Sequence, residues 1–169
     1  MMKKLFLCAL VALSMNVALA TAGGVASGTK ACIEGAMRNG SNAIGNKALL
    51  NVQYVRYFNE DAIAKISAGN RWNSFSNLQK DNQRKRVRRV VLGTLVPQLA
   101  KFKNSPLKLL SEETSKFGRK VYGQVGAKKK ARVTWYMPPL GCRFDNVAVA
   151  GYGSLAGWAK DNSLRQRDK

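Results

Sequence analysis

The sequence predicts an α+β domain in which N-terminal helices pack on a four-stranded antiparallel sheet. Three observations carry that expectation. Apolar residues recur at helical spacing up to about residue 102. From Pro106 onward the pattern turns to period two and short apolar runs. The gaps between those runs hold only a few turn-forming residues, and connections that short make neighbouring strands antiparallel. Helices that precede such a meander segregate against one face of it.

The chain opens with an export signal. Lys3 and Lys4 form a positive start, an apolar stretch runs from Leu5 to Leu19, and Ala18-Leu19-Ala20 supplies the small-x-small pattern of a cleavage site. A second candidate site ends at Ala22. The stretch is short for a membrane span, and Asn16 interrupts it. Residues 1–20 are therefore expected to be a signal peptide, 21–28 a small-residue linker, and 29–169 a single domain working outside the cytoplasm. Cleavage leaves about 149 residues, enough for one core.

Four helices are expected. Thr29 is placed as the cap of a first, from about Lys30 towards Ile44, weakened by Gly35 and Gly40. A second carries Leu49, Leu50, Val52, Tyr54, Val55 and Phe58. Asn59 caps a third, with Glu60 and Asp61 in the first turn where the helix dipole favours negative charge, ending near Gly69. The fourth starts at Asn77 or Ser76 and runs from Leu78 through Phe102, with Val87, Val90, Val91, Leu95 and Leu99 on one side. Pro97 is expected to kink it or end its first segment. Four strands follow, at Leu107 to Glu112, Arg119 to Val125, Ala131 to Met137 and Arg143 to Ala150.

Charge and missing residue types bound the chemistry. The chain has 29 Lys+Arg against 9 Asp+Glu. Loss of Lys3 and Lys4 leaves a mature net charge of about +18, which implies an anionic partner: phospholipid headgroups, a membrane surface or nucleic acid. The one dense cluster is Arg84, Lys85, Arg86, Arg88 and Arg89 on the fourth helix. It reads either as a solvated face or as a patch that docks on acidic headgroups or an acidic partner. There is no histidine, which excludes His-dependent nucleophilic triads and His-ligated metal sites. Glu112 and Glu113, adjacent on a strand, point to opposite faces and cannot act on one bond. Asp145 and Asp161 have no nucleophile to serve. No enzyme activity, metal or cofactor is expected. Cys32 and Cys142 are the cysteines left after cleavage, and in an oxidising compartment they either pair or remain two thiols.

Two stretches carry a resemblance to a known family. The first is Tyr57-Phe58-Asn59-Glu60-Asp61 through Gly69-Asn70-Arg71-Trp72, followed by Gln79 or Gln83. The second is Val133-Thr134-Trp135-Tyr136, then Gly141-Cys142-Arg143-Phe144-Asp145-Asn146-Val147 through Gly151-Tyr152-Gly153-Ser154-Leu155. In order and spacing they resemble the MlaC, or toluene-tolerance, family of periplasmic phospholipid carriers over about Ala31 to Arg165. Either Asp145 or Asn146 stands for that family's Asp, and the Gly151–Ser154 turn is one residue longer than usual.

The resemblance implies a soluble, monomeric carrier in the periplasm, with an apolar cavity between helices and sheet. It would shuttle phospholipid between an inner-membrane ABC transporter complex and an outer-membrane lipoprotein complex, maintaining outer-membrane lipid asymmetry. Hiding acyl chains from water at about 0.8 kcal/mol per CH₂ calls for such a cavity. Its candidate lining is Tyr54, Tyr57, Phe58, Trp72, Val91, Leu95, Tyr122, Val133, Trp135, Val147, Val149 and Leu155, with Arg84, Lys85, Arg88 and Arg89 as the headgroup or partner patch. For each lining residue the competing reading is an ordinary filled core. The rival function is an exported cationic protein that binds nucleic acid or an anionic surface polymer, whereas the carrier reading expects no nucleic acid.

Overall fold

A computed structural model describes residues 24–101, 104–127 and 130–165, with side chains described for all of these except 95–99, 101 and 161–165. The expected signal peptide lies outside the described residues, as do the side chains of Leu95, Leu99 and Asp161. The elements in order are α1 (Ser27–Asn42), α2 (Lys47–Tyr57), α3 (Glu60–Ala68), a 3₁₀ turn (Gly69–Ser74), α4 (Asn77–Lys101), β1 (Leu107–Ser115), β2 (Gly118–Val125), β3 (Ala131–Met137), β4 (Asn146–Val149), β5 (Gly153–Ser154) and α5 (Leu155–Arg165). All strand pairings are antiparallel and the sheet order is sequential, so the fold is α+β with a meander.

Polar side chains set most helix starts. Asn46 accepts from the Leu49 amide at 3.0 Å and Asn59 from the Ala62 amide at 3.3 Å. Ser76 and Gln79 satisfy each other's amides reciprocally, the capping box that begins α4. Gly69 ends α3 with φ 59, a conformation that costs glycine little. The helix α4 continues past Pro97 to Lys101, so the expected end of a first segment there is not found.

The start of α1 differs from the sequence expectation. Thr29 is not its cap: it lies inside the helix, and Ala26, at the capping position, has no side-chain acceptor. The acceptor comes from the sheet. Glu112 Oε2 takes the Ala26 amide at 2.9 Å, and Glu112 Oε1 takes the Thr29 hydroxyl at 3.0 Å. A bulge between Leu109 and Ser111 makes this reach possible, because one extra residue turns Glu112 to the helix side. Glu113 points the other way and accepts from the Tyr122 hydroxyl at 3.1 Å. Arg119, on the helix side of β2, donates to the Thr29 hydroxyl at 2.7 Å, and its Nη1 lies 4.0 Å from Glu112.

The C-terminal end also departs from expectation. The last long strand shortens to β4, and β5 and α5 follow it. Phe144, expected in that strand, instead meets the α2–α3 junction. It donates to the Tyr57 carbonyl at 2.7 Å and accepts from the Asn59 amide at 2.9 Å. The Gly151–Leu155 stretch turns back and starts a helix. Ser154 Oγ accepts from the Gly157 amide at 3.1 Å and Asn146 Oδ1 from the Ala156 amide at 3.2 Å, so both serve α5. Of the two candidates for the family Asp, Asn146 holds α5, while Asp145 accepts from Asn59 Nδ2 at 2.8 Å.

The filled core lies where α1, α3, α4 and α5 meet the sheet. Ile33, Ile63, Val87, Val121, Met137 and Leu155 are essentially inaccessible there. Within it Gln83 Nε2 donates to Ser67 Oγ at 2.8 Å, and Ser67 donates in turn to the Ala64 carbonyl, so the buried amide nitrogen is partnered. Cys32 of α1 and Cys142 of the β3–β4 connection are disulfide-bonded, with Cα atoms 5.6 Å apart.

Candidate functional site

Alternation on the strands decides what faces the helices. Val121, Gly123 and Val125 of β2, Val133, Trp135 and Met137 of β3, and Val147 and Val149 of β4 share one face. At one end of that face the helices fill the space. At the other they leave a cavity of about 100 Å³, the volume open to the centre of a water molecule. Its walls are Ala36, Met37 and Gly40 of α1; Leu50, Gln53, Tyr54 and Tyr57 of α2; Phe58; Val91 and Leu92 of α4; and Val125, Val133, Trp135, Phe144, Val147 and Val149 from the sheet side.

The aromatic rings are stacked into one wall. Tyr54 and Phe58 are parallel at 5.5 Å, Phe58 meets Phe144 edge-on at 5.5 Å, and Tyr57 lies over Phe144 at 6.4 Å. Few polar groups reach the cavity. Tyr57 Oη accepts from Asn39 Nδ2 at 2.8 Å. Gln53 Oε1 is buried and makes no hydrogen bond, an arrangement that is rare because an unpaired buried polar atom costs roughly 1–3 kcal/mol, whereas the buried Tyr54 hydroxyl has the Glu60 carboxylate and the Arg88 guanidinium beside it. Burial, and after it the nearby Glu60 carboxylate, raise the Tyr54 phenol far above its ordinary pKa, so it remains a donor.

Eight of the twelve lining residues expected from the sequence stand on the cavity: Tyr54, Tyr57, Phe58, Val91, Val133, Trp135, Val147 and Val149. Three stand elsewhere. Trp72 is buried in the 3₁₀ turn against Phe75, with Lys80 and Arg84 over its ring. Tyr122 occupies the opposite parity of β2 and faces away. Leu155 is packed in the filled core at the start of α5. The side chain of Leu95 is outside the described residues.

Leu50, Leu92, Val125 and Phe144 also line the cavity, each within a helix or strand that the sequence pattern predicts. Ala36, Met37, Gly40 and Gln53 were not legible: alanine and glycine carry little apolar signal, and Met37 and Gln53 stand outside the apolar positions assigned to α1 and α2.

The basic cluster on α4 is largely neutralised. Arg84 Nη2 lies 2.7 Å from Asp61, Arg88 Nη2 2.7 Å from Glu60, and Lys85 Nζ 2.7 Å from Asp81. Glu60 and Asp61 sit in the first turn of α3, so the two arginines clamp α4 to that helix end. Arg88 also lies over the Tyr54 ring at 5.5 Å, behind the cavity wall. Of the four patch residues named from the sequence, Arg89 is the exposed one that no carboxylate among the described residues meets.

Among the described residues no group of three or more metal-capable side chains comes together, and no helix is long and apolar enough to cross a membrane. Neither a family model nor a curated protein matches the sequence. A solved structure does match: the phospholipid-binding protein from Ralstonia solanacearum, in complex with a phospholipid, aligns with a TM-score of 0.66 at 13% identity, over 83% of this chain and 89% of that one. The chain has the fold of that phospholipid-binding protein.

Proposed function

We propose that the mature protein is a non-enzymatic, monomeric periplasmic carrier of the MlaC type that holds the acyl chains of a phospholipid in the cavity between α1, α2, α4 and the sheet. It collects and delivers its cargo between an inner-membrane ABC transporter complex and an outer-membrane lipoprotein complex, and so maintains outer-membrane lipid asymmetry. The observation that carries this reading is the cavity itself: an almost wholly apolar space, walled by stacked rings and aliphatic side chains, in a fold shared with a protein whose structure holds a phospholipid.

Apolar burial at about 0.8 kcal/mol per CH₂ supplies the driving force. A water position needs roughly 10–15 Å³ in the same measure, so about 100 Å³ is too little for two full chains. Uptake therefore widens the gap between helices and sheet. The Gln53 side-chain amide, whose Oε1 is buried without a partner, is the polar group that the lining offers the cargo's ester region.

The test is native mass spectrometry of mature protein made with its leader in a bacterial host, together with analysis of its organic extract. Co-purified phospholipid is expected. A bare polypeptide, under conditions that keep lipid on a control carrier, would overturn the proposal.

A further inference from the structure

Helix α2 has two apolar faces, and only one is used inside the molecule. Leu50, Tyr54 and Tyr57 face the cavity. On the far side Leu49, Val52 and Val55 are 38%, 59% and 53% exposed, and at 100° per residue they fall, with Ala48, within an arc of about 120°. Single exposed aliphatics are ordinary on a protein surface. Three within seven residues, on a helix that is also the wall of the cavity, form a continuous strip.

Charge distinguishes what this strip fits. The helix contains no acidic residue; Lys47 begins it, and the exposed Arg56 stands in its last turn, within the same arc as Val52 and Leu49. The mature chain carries about +18, while Glu60, Asp61 and Asp81 are occupied by α4 cations. An exposed aliphatic strip with cations at both ends of its helix and no carboxylate on it fits a negatively charged bilayer: the aliphatic side chains reach the acyl chains, and the long Lys47 and Arg56 stems carry their charges back to the headgroups.

We propose that α2 is the surface by which the protein docks on an anionic lipid bilayer. Docking there puts the hydrocarbon of the membrane one helix diameter from the cavity, so that an acyl chain crosses a single moving wall instead of open water. The inference rests on the carrier reading for its purpose and on the exposed face of α2 for its evidence.

The experiment is flotation of the mature, disulfide-bonded protein with vesicles of phosphatidylethanolamine and phosphatidylglycerol, against vesicles of phosphatidylcholine alone. It is run at physiological ionic strength, where the screening length of about 8 Å leaves cations in contact with headgroups effective but suppresses attraction by the rest of the surface. Wild type is expected to float with the anionic vesicles, and Leu49→Lys/Val52→Lys/Val55→Lys to lose at least about tenfold in bound fraction, although its positive charge is higher. Undiminished flotation of that variant would mean that charge alone attracts the protein, and would overturn the docking surface. Absence of wild-type flotation would overturn it too, leaving the strip to a protein partner.

Val52→Ser/Val55→Ser reads the same loss should the lysines disturb folding. Bound lipid is measured separately in each sample. Flotation by protein that carries no lipid would refute carriage and leave the docking surface standing.

Discussion

Gly123 of β2 has its side-chain space occupied by Trp135 of β3: a β carbon at 123 would lie 2.9 Å from Trp135 Cζ3 and equally close to the Lys108 carbonyl oxygen. The glycine lets the indole lie flat across the sheet as part of the cavity wall. A larger residue would push the ring outward into the cavity, since the backbone on the other side cannot yield.

Gly123→Ala is therefore expected to destabilise the fold by about 1–3 kcal/mol, the usual cost of overpacking, and to reduce lipid recovered in an organic extract. Urea unfolding followed by tryptophan emission gives the first quantity and mass spectrometry of the extract the second. A stable variant with undiminished lipid would show that Trp135 does not shape the space.

The disulfide ties the first helix to the connection before β4, across 110 residues. Closing a loop of that length removes conformational freedom worth about 4–5 kcal/mol from the unfolded chain in the entropic model, with observed losses nearer 2–5 kcal/mol. Cys32→Ser/Cys142→Ser is expected to lose stability in that range, and reductant to do the same to wild type and nothing further to the variant. Equal urea midpoints with and without reductant would contradict this.

Glu112 unites three parts of the molecule: the amide start of α1, the Thr29 hydroxyl and the Arg119 guanidinium, with the two charged side chains only 7% and 13% exposed. Removing one member of a buried charge pair costs about 3–5 kcal/mol because the other is left uncompensated. Arg119 retains the Thr29 hydroxyl and the Pro138 and Gly141 carbonyls, so Glu112→Ala is expected at the lower end of that range. Glu112→Gln, which keeps one acceptor oxygen for the start of α1 but loses the charge and the second acceptor, should fall between the alanine variant and wild type. Thermal unfolding of the three proteins ranks them.

Asp145 is half-buried, and desolvation raises its carboxyl pKa against the lowering effect of the Asn59 hydrogen bond. A carboxyl whose folded value is raised binds its proton more tightly in the folded state. Its ionisation thus costs stability above that folded value, and the cost disappears as pH falls below the unfolded value of about 3.9. In Asp145→Asn the new amide oxygen takes over the acceptor role toward Asn59 without the charge. That variant is expected to be more stable than wild type at neutral pH and to converge with it below about pH 3.9. A constant difference from neutral to acid pH would rule out this titration as the cause.

Local order determined much of what the sequence showed. The α+β class, the Asn59 cap, the stop at Gly69 and the third strand from Ala131 to Met137 depend on neighbours a few residues apart, which periodicity and capping chemistry report directly. Eight cavity residues were legible for the same reason, because alternation on β3 and β4 and spacing on α2 and α4 assign each side chain a face.

What a face meets is a different matter, and only the tertiary structure decided it. Val91 lines the cavity while Leu155 is packed in solid core, though both are aliphatic residues on an inward side. Thr29 gave up the expected cap because a bulge eighty residues later delivers Glu112 to the helix start. The cationic run on α4 is largely paired because α3 presents two carboxylates that no local spacing connects to it. The physical reason is common to all three: short-range pattern determines the direction in which a side chain points, whereas long-range packing determines whether a carboxylate, a ring or empty space lies at the end of it.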